Sequence, residues 1–223
     1  IWSSSDSSFT MTNVTVKRDS ALSQGGGLGF SNTLDPVTLT NVSINDNVAN
    51  NYQGGGIYAT EISLNISESS ITNNRSNGNN GGGIYANQSS LHITKSSISN
   101  NLARAAGGGL FHSTDLSVEN SLVVDNTSFI GNRSYDNGGG AYSSIGHTGK
   151  VTFTNVLFAK NKAGATSYNK TAGLYSNTST MGTNTVRVIN NTFVSNEGSN
   201  TVDLLGGGSP TREIINSIVW HNT

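Results

Sequence analysis

The chain has 223 residues, of which 33% are apolar and 11% charged, with 27 Gly, 2 Pro, no Cys and a net charge of −1. Without a basic stripe, that balance argues against nucleic acid and anionic membrane surfaces as main partners, and no apolar run approaches the ~20 residues of a membrane helix. The absence of Cys removes disulfides and thiolate metal sites, and a chain this poor in charge lacks the Lys- and Glu-rich tracts of a disordered region.

One short pattern runs along the sequence in eight copies: apolar-x-apolar-x-polar-x-x-apolar-x-x-Asn. Its anchors are, in chain order, Phe9/Met11/Val16, Val37/Leu39/Ile44, Leu64/Ile66/Ile71 and Leu91/Ile93/Ile98. They continue as Leu116/Val118/Val123, Val151/Phe153/Phe158, Val186/Val188/Phe193 and Arg212/Ile214/Val219. Second anchors are separated by 28, 27, 27, 25, 35, 35 and 26 residues. Self-similarity at this period marks a stacked repeat, in which each unit buries its apolar face on the next. Within a unit the apolar residues alternate with polar ones over two to four positions, the period of a half-buried strand. Three short strands per unit of about 25 residues predict an all-β chain folded as a right-handed parallel β-helix solenoid. We expect one domain of about eight coils over 1–223, roughly 40 Å long at ~4.8 Å per coil.

Gly clusters open the units, at Gly25-Gly26-Gly27, Gly54-Gly55-Gly56, Gly81-Gly82-Gly83, Gly107-Gly108-Gly109 and Gly138-Gly139-Gly140. Gly permits positive φ and close backbone approach at a tight corner. No Lys-Ser/Thr follows them and no helix supplies a dipole, so a phosphate cradle is the weaker reading. An aromatic residue follows each of these five clusters and the degenerate Ala172-Gly173-Leu174: Phe30, Tyr58, Tyr85, Phe111, Tyr142 and Tyr175. If the residue just after the glycines points inward, these point outward and line one sheet, the best candidate binding face, able to stack on sugar rings or cover a partner surface. His92 and His112 occupy polar repeat positions and read as surface.

The chain holds 31 Asn, and two files of them recur. One closes each unit: Asn47, Asn74, Asn101, Asn126, Asn161, Asn196 and Asn222, with Asp19 in the first copy. Repeated once per coil, such amides bond to one another in a ladder. The other lies two residues after the second anchor: Asn13, Asn41, Glu68, Lys95, Asn120, Asn155, Asn190 and Asn216. Asn tolerates the left-handed region and suits a bend there. Two long spacings predict loops near 127–150 and 162–185, although Phe129-Ile130-Gly131-Asn132 also fits the closing motif and leaves the register of that unit open. Ten Asn-x-Ser/Thr sequons start at Asn13, Asn41, Asn65, Asn74, Asn87, Asn126, Asn132, Asn169, Asn177 and Asn190. They would accept glycans in a host that glycosylates secreted proteins, though a chain rich in Asn, Ser and Thr makes sequons by chance.

Many β-helices cleave polysaccharides with paired carboxylates or with acidic Ca²⁺ ligands beside a base. The 13 acidic residues here are scattered, without an Asp-Asp pair or an alternating Asp-x-Asp set. His147 lies in an inserted loop and reads as a surface residue. We therefore assign no catalytic residue, no metal ligand and no cofactor. The chain opens on Ile1 without a Met or a signal-like segment, and is expected to be a mature or excised piece. Neither end carries a cap, so either more coils follow or subunits associate end to end.

Gly-Gly-x-apolar together with Phe-x-x-Asn resembles the paired signature of the chlamydial polymorphic outer-membrane proteins and related β-helix surface proteins with choice-of-anchor domains. It stands here as Gly54-Gly55-Gly56-Ile57, Phe158-Ala159-Lys160-Asn161 and Phe193-Val194-Ser195-Asn196. The run from Ile214 to Asn222 looks like late coils of the choice-of-anchor type. The resemblance implies secretion or surface display and adhesion. The expectation is thus an extracellular or cell-surface structural or adhesive protein whose partners are its own copies, surface glycans or surface proteins, with polysaccharide binding or cleavage as the alternative.

Overall fold

The computed structural model describes residues 1–4, 8–115, 120–146, 148–164, 170–179, 183–207 and 210–223. All its regular elements are strands, each paired in parallel with its counterpart one repeat away. Three eight-stranded sheets run the length of the molecule. The first extends from Trp2–Ser4 to Asn200–Gly206, the second from Phe9–Thr12 to Thr211–Ile215, and the third from Thr15–Lys17 to Ile218–Trp220. The parallel β-helix expected from the repeat is the fold, with about seven complete turns in place of eight coils. Seven steps of ~4.8 Å place the first and last strands ~34 Å apart.

A fourth side was not expected. Six two-residue strands, from Ser20–Ala21 to Lys162–Ala163, form a narrow sheet between the closing Asn and the next Gly cluster. Its inward residues are small, with Ala49, Ser76, Ala103, Ser134 and Ala163 all buried. Two residues cannot display an alternation, which is why the sequence hid this side.

The core is a set of in-register columns. Ile66 packs between Leu39 and Ile93, and that column continues through Val124, Phe153 and Val188. On the third sheet Ile44, Ile71 and Ile98 give way to Phe129, Phe158 and Phe193, whose rings stack at 5.0 and 4.8 Å. All of these side chains are buried. Parallel strands buried on one face gain by placing like beside like, because flat aromatic and branched aliphatic shapes pack best on their own copies.

The fifth unit differs from the expectation. Leu122, Val124 and Phe129 fill its anchor slots, whereas Val123 points outward between His92 and Thr152. Leu116 and Val118 lie outside the described residues. A slip of six residues satisfies the same pattern, and the stacking of Phe129 on Phe158 selects the later register. Residues 127–150 are therefore no single loop: they hold the strands Ser128–Ile130, Arg133–Ser134 and Ala141–Ile145 and the start of Gly149–Thr154. In 162–185 the extra residues fall on either side of the strand Thr171–Thr178, partly outside the described residues.

The Asn ladder follows this register. It comprises Asn47, Asn74, Asn101, Asn132, Asn161, Asn196 and Asn222, so Asn132 stands where Asn126 was expected. Asn126 is exposed and donates to the Asp125 carboxylate next to it. At φ +47° it belongs to the bend file with Asn13, Asn41, Asn155, Asn190 and Asn216, in place of Asn120. From Asn74 onward each ladder Oδ1 accepts two bonds from the preceding Asn, whereas Asn47 Oδ1 accepts the Asp19 N–H at 3.0 Å. Asn74 donates to Asn101 from its backbone N–H at 2.9 Å and from Nδ2 at 3.1 Å. The second Nδ2 hydrogen goes to a backbone carbonyl, Ile44 O for Asn74. Both donors and both lone pairs of the carboxamide are satisfied, which lets it sit fully buried.

Candidate functional site

The first sheet carries the candidate face. Each Gly cluster begins in the left-handed region, as at Gly54 with φ +73°, and turns the chain into the sheet. The residue after the cluster then points inward and the next one outward. Tyr58, Tyr85, Phe111, Tyr142 and Tyr175 stand one above another on the outer surface, in strict register. Their ring centroids are 5.3, 5.2, 4.8 and 4.9 Å apart along the column, with planes tilted by no more than 11°.

Phe30 does not belong to this file. It lies one residue later relative to its glycines, and the two-residue period of a strand turns it inward, where it is buried against Phe9. Gly29 takes the outward slot and leaves a notch. Trp2 fills the notch: a Cβ on Gly29 would lie 2.0 Å from the indole, and the indole stacks on Tyr58 at 5.8 Å. Trp2 was missed because the first strand precedes the first full repeat.

Stacking decides what this strip offers. Both faces of each interior ring are covered by neighbouring rings, so a sugar cannot lie on them. Solvent meets the ring edges and the tyrosine hydroxyls. Half-burial, and secondarily the neighbouring Tyr58, push the Tyr85 phenol up to about 12. Tyr142 is raised by burial and by Tyr175, and Tyr175 by burial and then by Asp203. Tyr85, Tyr142 and Tyr175 are thus neutral at physiological pH.

Parity also relocates His112. It is fully buried, in register between Ala86 and Ser143 and behind the aromatic strip. Its Nε2 lies 2.9 Å from Ser89 O and must donate there, which leaves Nδ1 to accept from Ser143 Oγ at 3.5 Å. Burial lowers its pKa to about 4, partly offset by the Ser89 carbonyl, so the ring is neutral at pH 7. His92 is exposed, and His147 lies outside the described residues.

The sequons divide by burial. Asn74 and Asn132 are buried in the ladder with both amide hydrogens engaged, so the folded coil cannot carry a glycan at either. Asn13, Asn41, Asn126 and Asn190 are exposed and share the bend file along one edge. Asn65, Asn87 and Asn177 are half-buried, and Asn169 lies outside the described residues.

A recess of about 530 Å³ opens at the corner between the first and second sheets, lined in part by Glu61, Gln88, Ser90, Asp115 and Asn120. The Asp115 N–H donates to Gln88 Oε1 at 3.1 Å, and Ser90 Oγ lies 3.2 Å from Asn120 Oδ1. Sequence reasoning missed it because Glu61 and Asp115 are 54 positions apart and meet only through stacking. Among the described residues no three His, Cys, Asp or Glu side chains cluster as metal ligands, and no helix is long and apolar enough to cross a membrane. No protein-family model, curated protein or solved structure matches the chain significantly.

Proposed function

We propose that this chain is a structural, adhesive β-helix module of an extracellular or cell-surface protein, without chemistry of its own. The aromatic strip carries the reading: a flat, half-exposed column runs along one sheet, while the buried closing Asn side chains are bonded to their own copies. Such a surface suits broad contact with a partner protein or a glycan through edges and hydroxyls, since aromatic rings contribute large contact area with few rotatable bonds. Glycans added in a glycosylating host would fall on the edge holding Asn13, Asn41, Asn126 and Asn190, clear of the strip. Binding of the immobilised protein to glycan arrays and to surface proteins tests this. A Tyr58→Ser/Tyr142→Ser variant with an unchanged fold loses binding if the strip is the working face; undiminished binding contradicts the proposal.

End-to-end assembly is a second property we propose for the module: the parallel strand edges of a coil can pair with a coil of the same repeat from another copy. Electron microscopy separates the cases: fibres with an axial repeat near one subunit length support assembly, and isolated rods oppose it. The corner recess favours saccharide binding as the second reading, because Glu61, Asp115 and Gln88 offer the planar polar groups that hydrogen-bond sugar hydroxyls.

A further inference from the structure

Four of the stacked rings are tyrosines, and they fall into two neighbouring pairs. Tyr58 lies in register with Tyr85, with centroids 5.3 Å apart and planes 7° from parallel. Tyr142 lies in register with Tyr175 at 4.9 Å and 11°. Phe111 separates the pairs, stacking on Tyr85 above it and Tyr142 below. All four phenols are partly open to solvent, each is tethered to its neighbour by paired strands, and the chain has no cysteine to divert an oxidant or to form a disulfide.

We propose that Tyr58–Tyr85 and Tyr142–Tyr175 are sites of oxidative cross-linking, each forming one dityrosine bridge between adjacent coils. The oxidant is hydrogen peroxide acting through a haem peroxidase. It removes one electron and one proton from each phenol and leaves two neutral phenoxyl radicals. These join through the ring carbons ortho to the oxygens, forming one carbon–carbon bond. Each ring then loses its ortho hydrogen and regains its hydroxyl on tautomerisation. Two phenols and one peroxide therefore give one biphenol and two waters. Radical coupling is second order, and stacking holds the second phenol at a high effective concentration. The proposal needs the stack alone and is independent of adhesion.

Tyr52 and Tyr135 provide the internal control. They are 52% and 45% exposed, so an oxidant reaches them readily, but they lie outside the stacked column, and Tyr135 sits under the Arg133 guanidinium at 5.4 Å. Proximity and accessibility thus predict different products.

The test treats the purified protein with hydrogen peroxide and a haem peroxidase, then maps cross-linked peptides by mass spectrometry and follows dityrosine fluorescence. The expected products are the 58–85 and 142–175 bridges, each two hydrogens lighter than its two peptides, on a monomeric protein. They should exceed any bridge from Tyr52 or Tyr135 by about tenfold or more. Tyr85→Phe should lose the first bridge and keep the second, at an unchanged melting temperature, since Phe111 already occupies this column with the same stacking. Phe111→Tyr should add bridges to Tyr85 or Tyr142. Products dominated by Tyr52, by Tyr135 or by links between molecules would overturn the proposal, as would retention of the first bridge's mass shift in Tyr85→Phe.

Discussion

The carboxamide of Asn101 lies against the glycine that opens its own coil: its Nδ2 is 3.0 Å from the point where a Cβ would project from Gly83. The same contact recurs between Gly56 and Asn74, and between Gly109 and Asn132. The two halves of the repeat signature, glycine cluster and closing Asn, are therefore one packing unit. The glycine is small because the amide needs the room, and the amide is buried because the glycine admits it.

Gly83→Ala tests this unit. The added methyl would meet Gly109 O at 2.6 Å as well as the Asn101 amide, and neither backbone nor ladder can yield freely. Overpacking of this kind costs roughly 1–3 kcal/mol. Urea unfolding should show that loss in midpoint without a change in slope.

Ile66→Asp tests the core. Ile66 is fully buried in the middle column of the stack, and no cation lines that column. A carboxylate there has no partner, so we expect a loss of ~4 kcal/mol or more, or failure to fold. A melting temperature equal to the parent's would contradict the assignment of this column to the interior.

His112 predicts a pH dependence. Its folded pKa of about 4 lies below the ordinary 6.5, so the unfolded chain takes up a proton first as pH falls. Its contribution is constant above pH ~6.5 and is lost between there and its folded pKa. The loss should reach about 2 kcal/mol by pH ~5, before most carboxylates titrate. His112→Asn should remove that slope, as read from denaturation midpoints at several pH values.

Much of the fold was legible because stacking repeats the same constraint once per coil. The anchors Leu64/Ile66/Ile71 and Leu91/Ile93/Ile98 lie buried in the positions the pattern assigned. What failed were features that the pattern leaves degenerate. A slip of six residues leaves the fifth unit's motif intact, so Val123 with Asn126 reads as well as Phe129 with Asn132 until the neighbouring coils are present. One residue of displacement after the glycines reverses a strand's faces, which sent Phe30 inward. His112 stands beside the outward Phe111 and faces the core for the same reason. The corner recess could not be read at all, because its residues come from different coils.

The most direct measurement compares two asparagines six positions apart. Asn132→Ala removes the acceptor for the N–H and Nδ2 of Asn101 and the donor to Ile98 O and Asn161 Oδ1. Buried groups left unpaired in this way cost about 3 kcal/mol together, or roughly 6–12 °C in melting temperature for a chain of this size. Asn126→Gly removes an exposed side chain while keeping the positive φ accessible, and should change stability by less than about 0.5 kcal/mol. That ordering is what a coil-to-coil amide ladder through Asn132 predicts. Equal melting temperatures for the two variants, or a larger loss in Asn126→Gly, would contradict it.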